Sequence, residues 1–290
     1  MQHPPFVPLW LGAGIANCEM PPEPWLEWGK RSVLLPDLDA VQKESPPVLS
    51  KLHVRWELVE HIAASDQDIV LQPLDAENRR WQLQLERFFT AIYDRDEHTV
   101  HMQIVRDDLP QLTLHNVLRF ITSIRLPLEN KGLMLHASSG GTDVGAVFSG
   151  LSTAGKSTLA FGFENVEYYS DDISLLTYDD DKVWLTGSPF FGIEGHRGAQ
   201  KRVPLSAFCL LEEKSFDGKT HVKRLSKAQA ISSAMRHVVN FSSSPALAQS
   251  ILDQLLFIAD RVPFVRIHRS LETSSDDVFA QVMDAVQVSA

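Results

Sequence analysis

The chain has 290 residues, 44% hydrophobic and 22% charged, which excludes a disordered, collagen-like or disulfide-scaffold protein and leaves ample material for a buried core. Its 27 basic and 37 acidic residues give a net charge of −10. No Lys/Arg block is dense enough to track a phosphate backbone, so no nucleic-acid partner is expected.

Two cysteines, Cys18 and Cys209, lie far apart and without a CxxC partner, as in a reducing compartment and against a structural zinc site. Cys209 falls in the apolar run Ala207-Phe208-Cys209-Leu210-Leu211 and reads as a small core residue. The start, Met-Gln-His-Pro-Pro, lacks the basic and apolar regions of a secretory signal. No stretch approaches the ~20 apolar residues of a membrane span. The expectation is a cytoplasmic protein with no membrane partner.

Residues 1–47 hold nine of the 16 prolines, which predicts an irregular strap with short extended pieces, packed over the body through Trp10, Trp25 and Trp28. From Lys51 to Val105 the pattern turns strand-like. Leu52, Val54, Trp56 and Leu58 alternate with His53, Arg55 and Glu57, and 69–71 and 81–85 repeat the period of two. A small, mostly antiparallel sheet follows. Leu114, Val117, Leu118 and Ile121 predict a helix over 112–126, stopped by Pro127.

A boundary is expected at Glu129-Asn130-Lys131-Gly132, dividing an N-terminal α+β domain (1–129) from a C-terminal α/β domain (130–290). Beyond it, 133–135 and 146–148 are short apolar runs typical of strands buried on both faces. Further strands are expected over 173–177, 183–186, 208–211 and 264–267. Helices are expected over 157–163, 228–239, 245–258 and 276–286. Asp179-Asp180-Asp181 sits between two strands and reads as a hairpin turn.

The strongest signal is Gly150-Leu151-Ser152-Thr153-Ala154-Gly155-Lys156-Ser157-Thr158, a match to G-x-x-x-x-G-K-[ST] set between a strand and a helix. Backbone N–H groups of such a loop cradle phosphate oxygens, and glycines permit close approach and positive φ. Lys156 supplies a mobile charge for β/γ-phosphates, and the Ser157 hydroxyl can ligand Mg²⁺. Asp171 and Asp172 follow at a strand start, one helix and a return turn beyond Lys156. A carboxylate pair there can hold Mg²⁺ and accept a proton from an attacking hydroxyl. His136 closes the strand-like run 133–136. If that strand pairs with 146–149, His136 faces the same edge. The other histidines show no HxxxH or HExxH spacing.

The order Leu135-His136, Gly150–Thr158, Ser170-Asp171-Asp172 resembles the catalytic domain of HPr kinase/phosphorylase and its related bacterial serine kinases, over residues 130–290. The resemblance implies a P-loop kinase domain on a fold similar to ATP-dependent phosphoenolpyruvate carboxykinase. It implies ATP bound at 150–158, Mg²⁺ held by Ser157 and Asp172, and His136, Lys156, Asp171 and Asp172 at the catalytic centre. Two differences stand out. Thr158 occupies a position where that family carries an acidic residue, and Phe191-Gly192-Ile193-Glu194-Gly195 matches its glycine-rich signature loosely. Phosphorylase activity and HPr as acceptor are therefore not carried over.

The expected function is transfer of the γ-phosphoryl group of ATP to a hydroxyl, of a serine in a protein or peptide or of a small molecule, with a homo-oligomer possible. An NTPase that drives motion would carry an apolar run ending in an acidic residue; here the acidic pair precedes its apolar run. A non-catalytic nucleotide-binding regulator is the other alternative. Arg197 and Arg202, in the loop-like segment 187–202, are candidate cations over the phosphates, with Arg236 and Arg266 as alternatives.

Overall fold

The computed structural model describes residues 6–19, 43–44, 47–63, 67–105, 110–179, 181–190, 198–212 and 217–287. Most of the expected strap, with Trp25 and Trp28, lies outside them. Within them the chain is a mixed α/β protein with two sheets and few helices. It divides into two units, one of residues up to Glu129 with Asn240–Ser250, the other of Asn130–Val239 with Ile251 onward. The segment 240–250, assigned from sequence to the C-terminal part, thus groups with the first unit.

The first unit is built on a seven-stranded sheet. Its strands are β1 (Phe6–Trp10), β2 (Ile15–Glu19), β3 (Leu52–Val59), β4 (Ile69–Pro73), β5 (Arg80–Leu85), β6 (Phe89–Asp94) and β7 (Thr99–Val105). They run in the order β1-β2-β3-β7-β6-β5-β4. Most pairings are antiparallel, but β3 lies parallel to both β2 and β7; it meets β7 because the chain leaves β3 to build β4–β6 before returning beside it. Alternation decides the inner face: Val100, Met102 and Ile104 of β7 are buried, as are Phe89, Ala91 and Tyr93 of β6.

Helix α1 (Pro110–Leu128) covers that face, with Phe120 against Phe89 at 6.4 Å between ring centroids. It passes through Pro127 rather than stopping before it. In the last turn the proline forfeits only one amide bond, and the helix ends one residue later. Arg125 on this helix is 1% exposed; its Nε donates to Glu129 at 2.7 Å and an Nη to the Ser50 carbonyl at 2.8 Å.

The second unit opens with β8 (Gly132–Gly141) and β9 (Gly145–Gly150), then α2 (Lys156–Phe161), β10 (Glu167–Ser170), β11 (Ile173–Asp179), β12 (Lys182–Thr186) and β13 (Arg202–Leu211). It continues through β14 (His221–Arg224), α3 (Lys227–Ala234), a 3₁₀ turn (Met235–His237), α4 (Pro245–Ala259, begun in the first unit), β15 (Phe264–His268) and α5 (Ser275–Gln287). The four-residue strands β10 and β14 are too short to show a period in the sequence.

Pairings in this unit close on themselves: β8 pairs β11, β11 pairs β12, β12 pairs β13, β13 pairs β9, and β9 pairs β8. Two long strands make the ring possible. β8 gives residues 132–136 to β11 and 137–141 to β9, and β13 gives 202–204 to β12 and 205–211 to β9. β9, β13 and β15 are mutually parallel and buried, as their unbroken apolar runs require. α2 and α5 cover one face of these strands through Leu159, Val278, Phe279 and Val282, against Phe148, Cys209 and Val265.

Candidate functional site

β8 turns from one partner to the other between His136 and Ala137, and this corner organises the site. Along one edge of β8 run β10 and β11, antiparallel, as a nearly continuous strand from Glu167↔Gly141 to Thr177↔Gly132. The register slips between Tyr168 and Ser170, and Asp171-Asp172 form the bend that follows. Bulges of this kind re-aim side chains at sheet edges and beside functional sites. The bend is tied down by backbone: Ala137 N–H donates to the Asp172 carbonyl at 2.9 Å, and the Ser170 hydroxyl to the Ile173 carbonyl at 2.8 Å.

The two aspartates leave this bend in different environments. Asp171 is 4% exposed, and the Tyr168 hydroxyl donates to its Oδ1 at 2.8 Å. Burial and the carboxylate push the Tyr168 phenol far above its ordinary range, so it stays a donor. Asp172 has a 28% exposed side chain, with Oδ1 3.0 Å from Nδ1 of the 47% exposed His136. A carboxylate on Nδ1 fixes the imidazole tautomer and leaves Nε2 to accept a proton.

Gly150 ends β9 opposite Leu211 of β13. A Cβ at Gly150 would come within 2.6 Å of the Leu211 carbonyl oxygen, so close backbone approach and not positive φ requires glycine there. Gly155 is the converse: φ is +85° and the space around it is open. The helix after it is six residues, shorter than the expected 157–163. Ser152, Thr153, Ser157 and Thr158 are exposed, Leu151 is 76% exposed, and Ala154 is partly buried. The Ser157 hydroxyl donates to the Asp171 carbonyl at 3.4 Å.

Lys156 is 5% exposed. Its Nζ donates to the carbonyls of Gly150 and Leu151, each at 3.0 Å, and among the described residues it forms no ion pair. Burial lowers its pKa, and the Asp172 charge partly offsets that. A buried ammonium whose direct contacts are two neutral carbonyls is costly even with a carboxylate at longer range, and a ligand anion would relieve it.

The structure thus brings His136, Gly150–Thr158, Asp171 and Asp172 to one end of the second unit. It also brings residues that the sequence pattern missed. A cavity of about 400 Å³ opens beside the glycine loop, lined by Leu151, Glu212, Ser233, Arg236, His237 and His268 among others. The expected helix 228–239 instead breaks into α3 and the 3₁₀ turn, because Val238 turns extended and bridges Leu135 of β8. Leu151 and Arg236 are candidates from the sequence; Glu212, Ser233, His237 and His268 are not.

The other candidate cations are placed elsewhere. Arg197, with 191–195, lies outside the described residues. Arg202 sits at the end of β13 opposite Leu211, with an Nη 2.8 Å from Asp179 and its guanidinium 4.3 Å above the Trp184 ring. Position and partner both remove it from the glycine loop. Arg266 pairs with Glu212 at 2.7 Å. Asp179 and Asp181 flank the β11–β12 connection, as expected of a hairpin turn, with Asp180 outside the described residues.

Among the described residues no group of three or more His, Cys, Asp or Glu side chains is arranged to hold a metal ion, and no helix is long and apolar enough to cross a membrane. No family model matches the sequence, and no curated protein is similar to it. Among the solved structures similar to it is the Hpr(Ser) kinase/phosphatase from Coxiella burnetii, which aligns with 42% of this chain and 87% of its own, at 12% identity and a TM-score of 0.22.

Proposed function

We propose that the chain is an ATP- and Mg²⁺-dependent kinase that transfers the γ-phosphoryl group to a hydroxyl, of a serine in a protein or peptide or of a small molecule. The observation that carries this reading is Lys156: a buried ammonium that among the described residues touches no carboxylate, parked on two carbonyls of an open glycine loop, with the carboxylate–imidazole pair of Asp172 and His136 near it. A structural lysine is paired; one that serves a ligand waits for its anion.

In this reading the Gly150–Gly155 loop seats the phosphates, and Lys156 swings from the Gly150 and Leu151 carbonyls onto the phosphoryl oxygens. Ser157 and Asp172 would hold Mg²⁺, which supplies charge neutralisation across the phosphates. The acceptor hydroxyl gives its proton to the His136–Asp172 pair as its oxygen bonds to phosphorus and ADP leaves. Tyr168 keeps Asp171 in place, so Asp171 shapes the bend from which Asp172 projects. Phosphoryl transfer needs little else beyond positioning and charge.

The test is incubation with γ-labelled ATP and Mg²⁺, alone and with panels of serine peptides and hydroxylated small molecules, following label on each acceptor and free phosphate. Label transfer abolished by Lys156→Ala is the expected result. Rapid phosphate release without an acceptor, equally Lys156-dependent, would replace the kinase by an NTPase. Turnover undiminished in Lys156→Ala would end the assignment.

A further inference from the structure

The antiparallel bridge between Leu135 and Val238 has a geometric corollary. In an antiparallel pair the residue after one partner lies opposite the residue before the other, so His136 and His237 face each other across the bridge. The Val239 N–H, donating to the Met134 carbonyl at 2.9 Å, extends the pairing and fixes the register. Two histidines from distant parts of the chain are thereby brought to the corner of β8, close enough to act on each other electrostatically. His237 also lines the cavity that opens on the glycine loop, beside Arg236.

The charges around His237 come from every side. Lys156 reaches it from α2, His136 from β8 and Arg236 from its own turn. His268 of β15 and Glu212 beyond β13 line the same cavity, with Glu212 Oε2 3.8 Å from His268 Nε2 and Oε1 on Arg266. Among the described residues the charged groups that act on His237 are cationic or neutral; the Asp172 carboxylate lies beyond them, on His136 at 3.0 Å, and the acidic member of the cavity wall is engaged by its own partners. That field suits an anion and opposes a second proton in its absence.

We propose that His237 is a phosphate-binding side chain that engages its ligand as an imidazolium, so that seating a phosphate at the glycine loop takes up a proton from solvent. With Arg236 it lines the cavity beside the glycine loop, within electrostatic reach of Lys156. The inference rests on the phosphate-loop reading above and extends it to a residue outside the motif. Burial and the neighbouring cations hold the His237 pKa below its ordinary value, so the imidazole is neutral at neutral pH while the site is empty. An anion reverses the balance. The sign follows: affinity rises as pH falls between the pKa of the empty site and that of the filled one, and levels off below both.

The experiment is calorimetric titration of the full chain with MgATP at about pH 7, in PIPES and in Tris, whose different ionisation heats count the protons exchanged. The same titration on His237→Asn cancels the nucleotide's own ionisation. Wild type should take up more protons than the variant, and its affinity should climb with acidification by up to about tenfold per pH unit, while that of the variant stays flatter. Equal proton counts in the two proteins, with binding intact, would overturn the role of His237 and leave the phosphate loop standing. No binding to wild type would overturn both. Should His237→Asn not fold, imidazole ¹⁵N shifts of the wild-type protein decide: ATP must move one more histidine toward the imidazolium signature, and unchanged histidine signals contradict the proposal.

Discussion

Among the described residues each unit buries one long cationic side chain, and the two are treated in opposite ways. Arg125, in the first unit, is 1% exposed and meets the Glu129 carboxylate at 2.7 Å and the Ser50 carbonyl at 2.8 Å. Lys156, in the second, is 5% exposed, and among the described residues its ammonium hydrogen-bonds only to the carbonyls of its own loop. A charge that serves the fold brings its counter-ion within the chain, because an uncompensated buried charge is expensive. A charge left without one marks a place where something else supplies it. On the proposed reading, Arg125 is a structural cation and Lys156 a functional one, a distinction that needs no appeal to motif.

The largest consequence falls on Lys156. Replacing it with methionine should lower turnover by about a thousandfold, the scale on which loss of one preorganised charge acts in phosphoryl transfer. The melting temperature should hold or rise, since an unpaired buried ammonium gives way to a side chain of similar shape. Arg125→Met should do the reverse. Stability falls by about 3 kcal/mol in urea denaturation, because Glu129 and the Ser50 carbonyl lose their partner. If the nucleotide site belongs to the second unit, the residual folded fraction still binds nucleotide. A stable Arg125→Met together with an unfolded Lys156→Met would break the comparison.

Asp172→Asn sharpens it within the site. The amide keeps the shape of the bend but cannot draw a proton through His136, so transfer should drop by about a hundredfold in steady-state assays. ATP affinity without Mg²⁺ should change little. Tyr168→Phe is the smallest change. It leaves Asp171 short of one hydrogen bond, costing about 1 kcal/mol in thermal or urea unfolding, with a modest loss of rate. An Asp172→Asn variant as active as wild type would move the proton acceptor to Asp171, and Tyr168→Phe would then become the more damaging of the two.

How far the sequence reveals this arrangement depends on the range of the interaction. The alternation over Leu52–Leu58 and the apolar runs at 133–135 and 146–148 mark strands, because side-chain burial repeats locally. The Gly150–Thr158 spacing marks a tight loop ahead of a helix, and the Gly150 and Gly155 backbones show two different reasons for the glycines. What local pattern cannot show is a strand with two sets of partners. β8 changes neighbours at His136, the pairings around it close into a ring, and no periodicity in residues 132–141 announces that. His237 is hidden for the same reason: its helical neighbourhood reads as an unbroken helix to Val239, and only the long-range bridge from Val238 to Leu135 pulls it out. Pro127 shows the opposite error, a strong local stop signal outlasted by helix packing in the final turn.

The most direct test of the central claim is MgATP binding by wild type and Lys156→Met, measured calorimetrically beside their melting curves. Saturable binding to wild type that vanishes in a variant melting at the same or a higher temperature is the predicted result. Equal affinity in the two proteins, or no binding to a folded wild type, would contradict it.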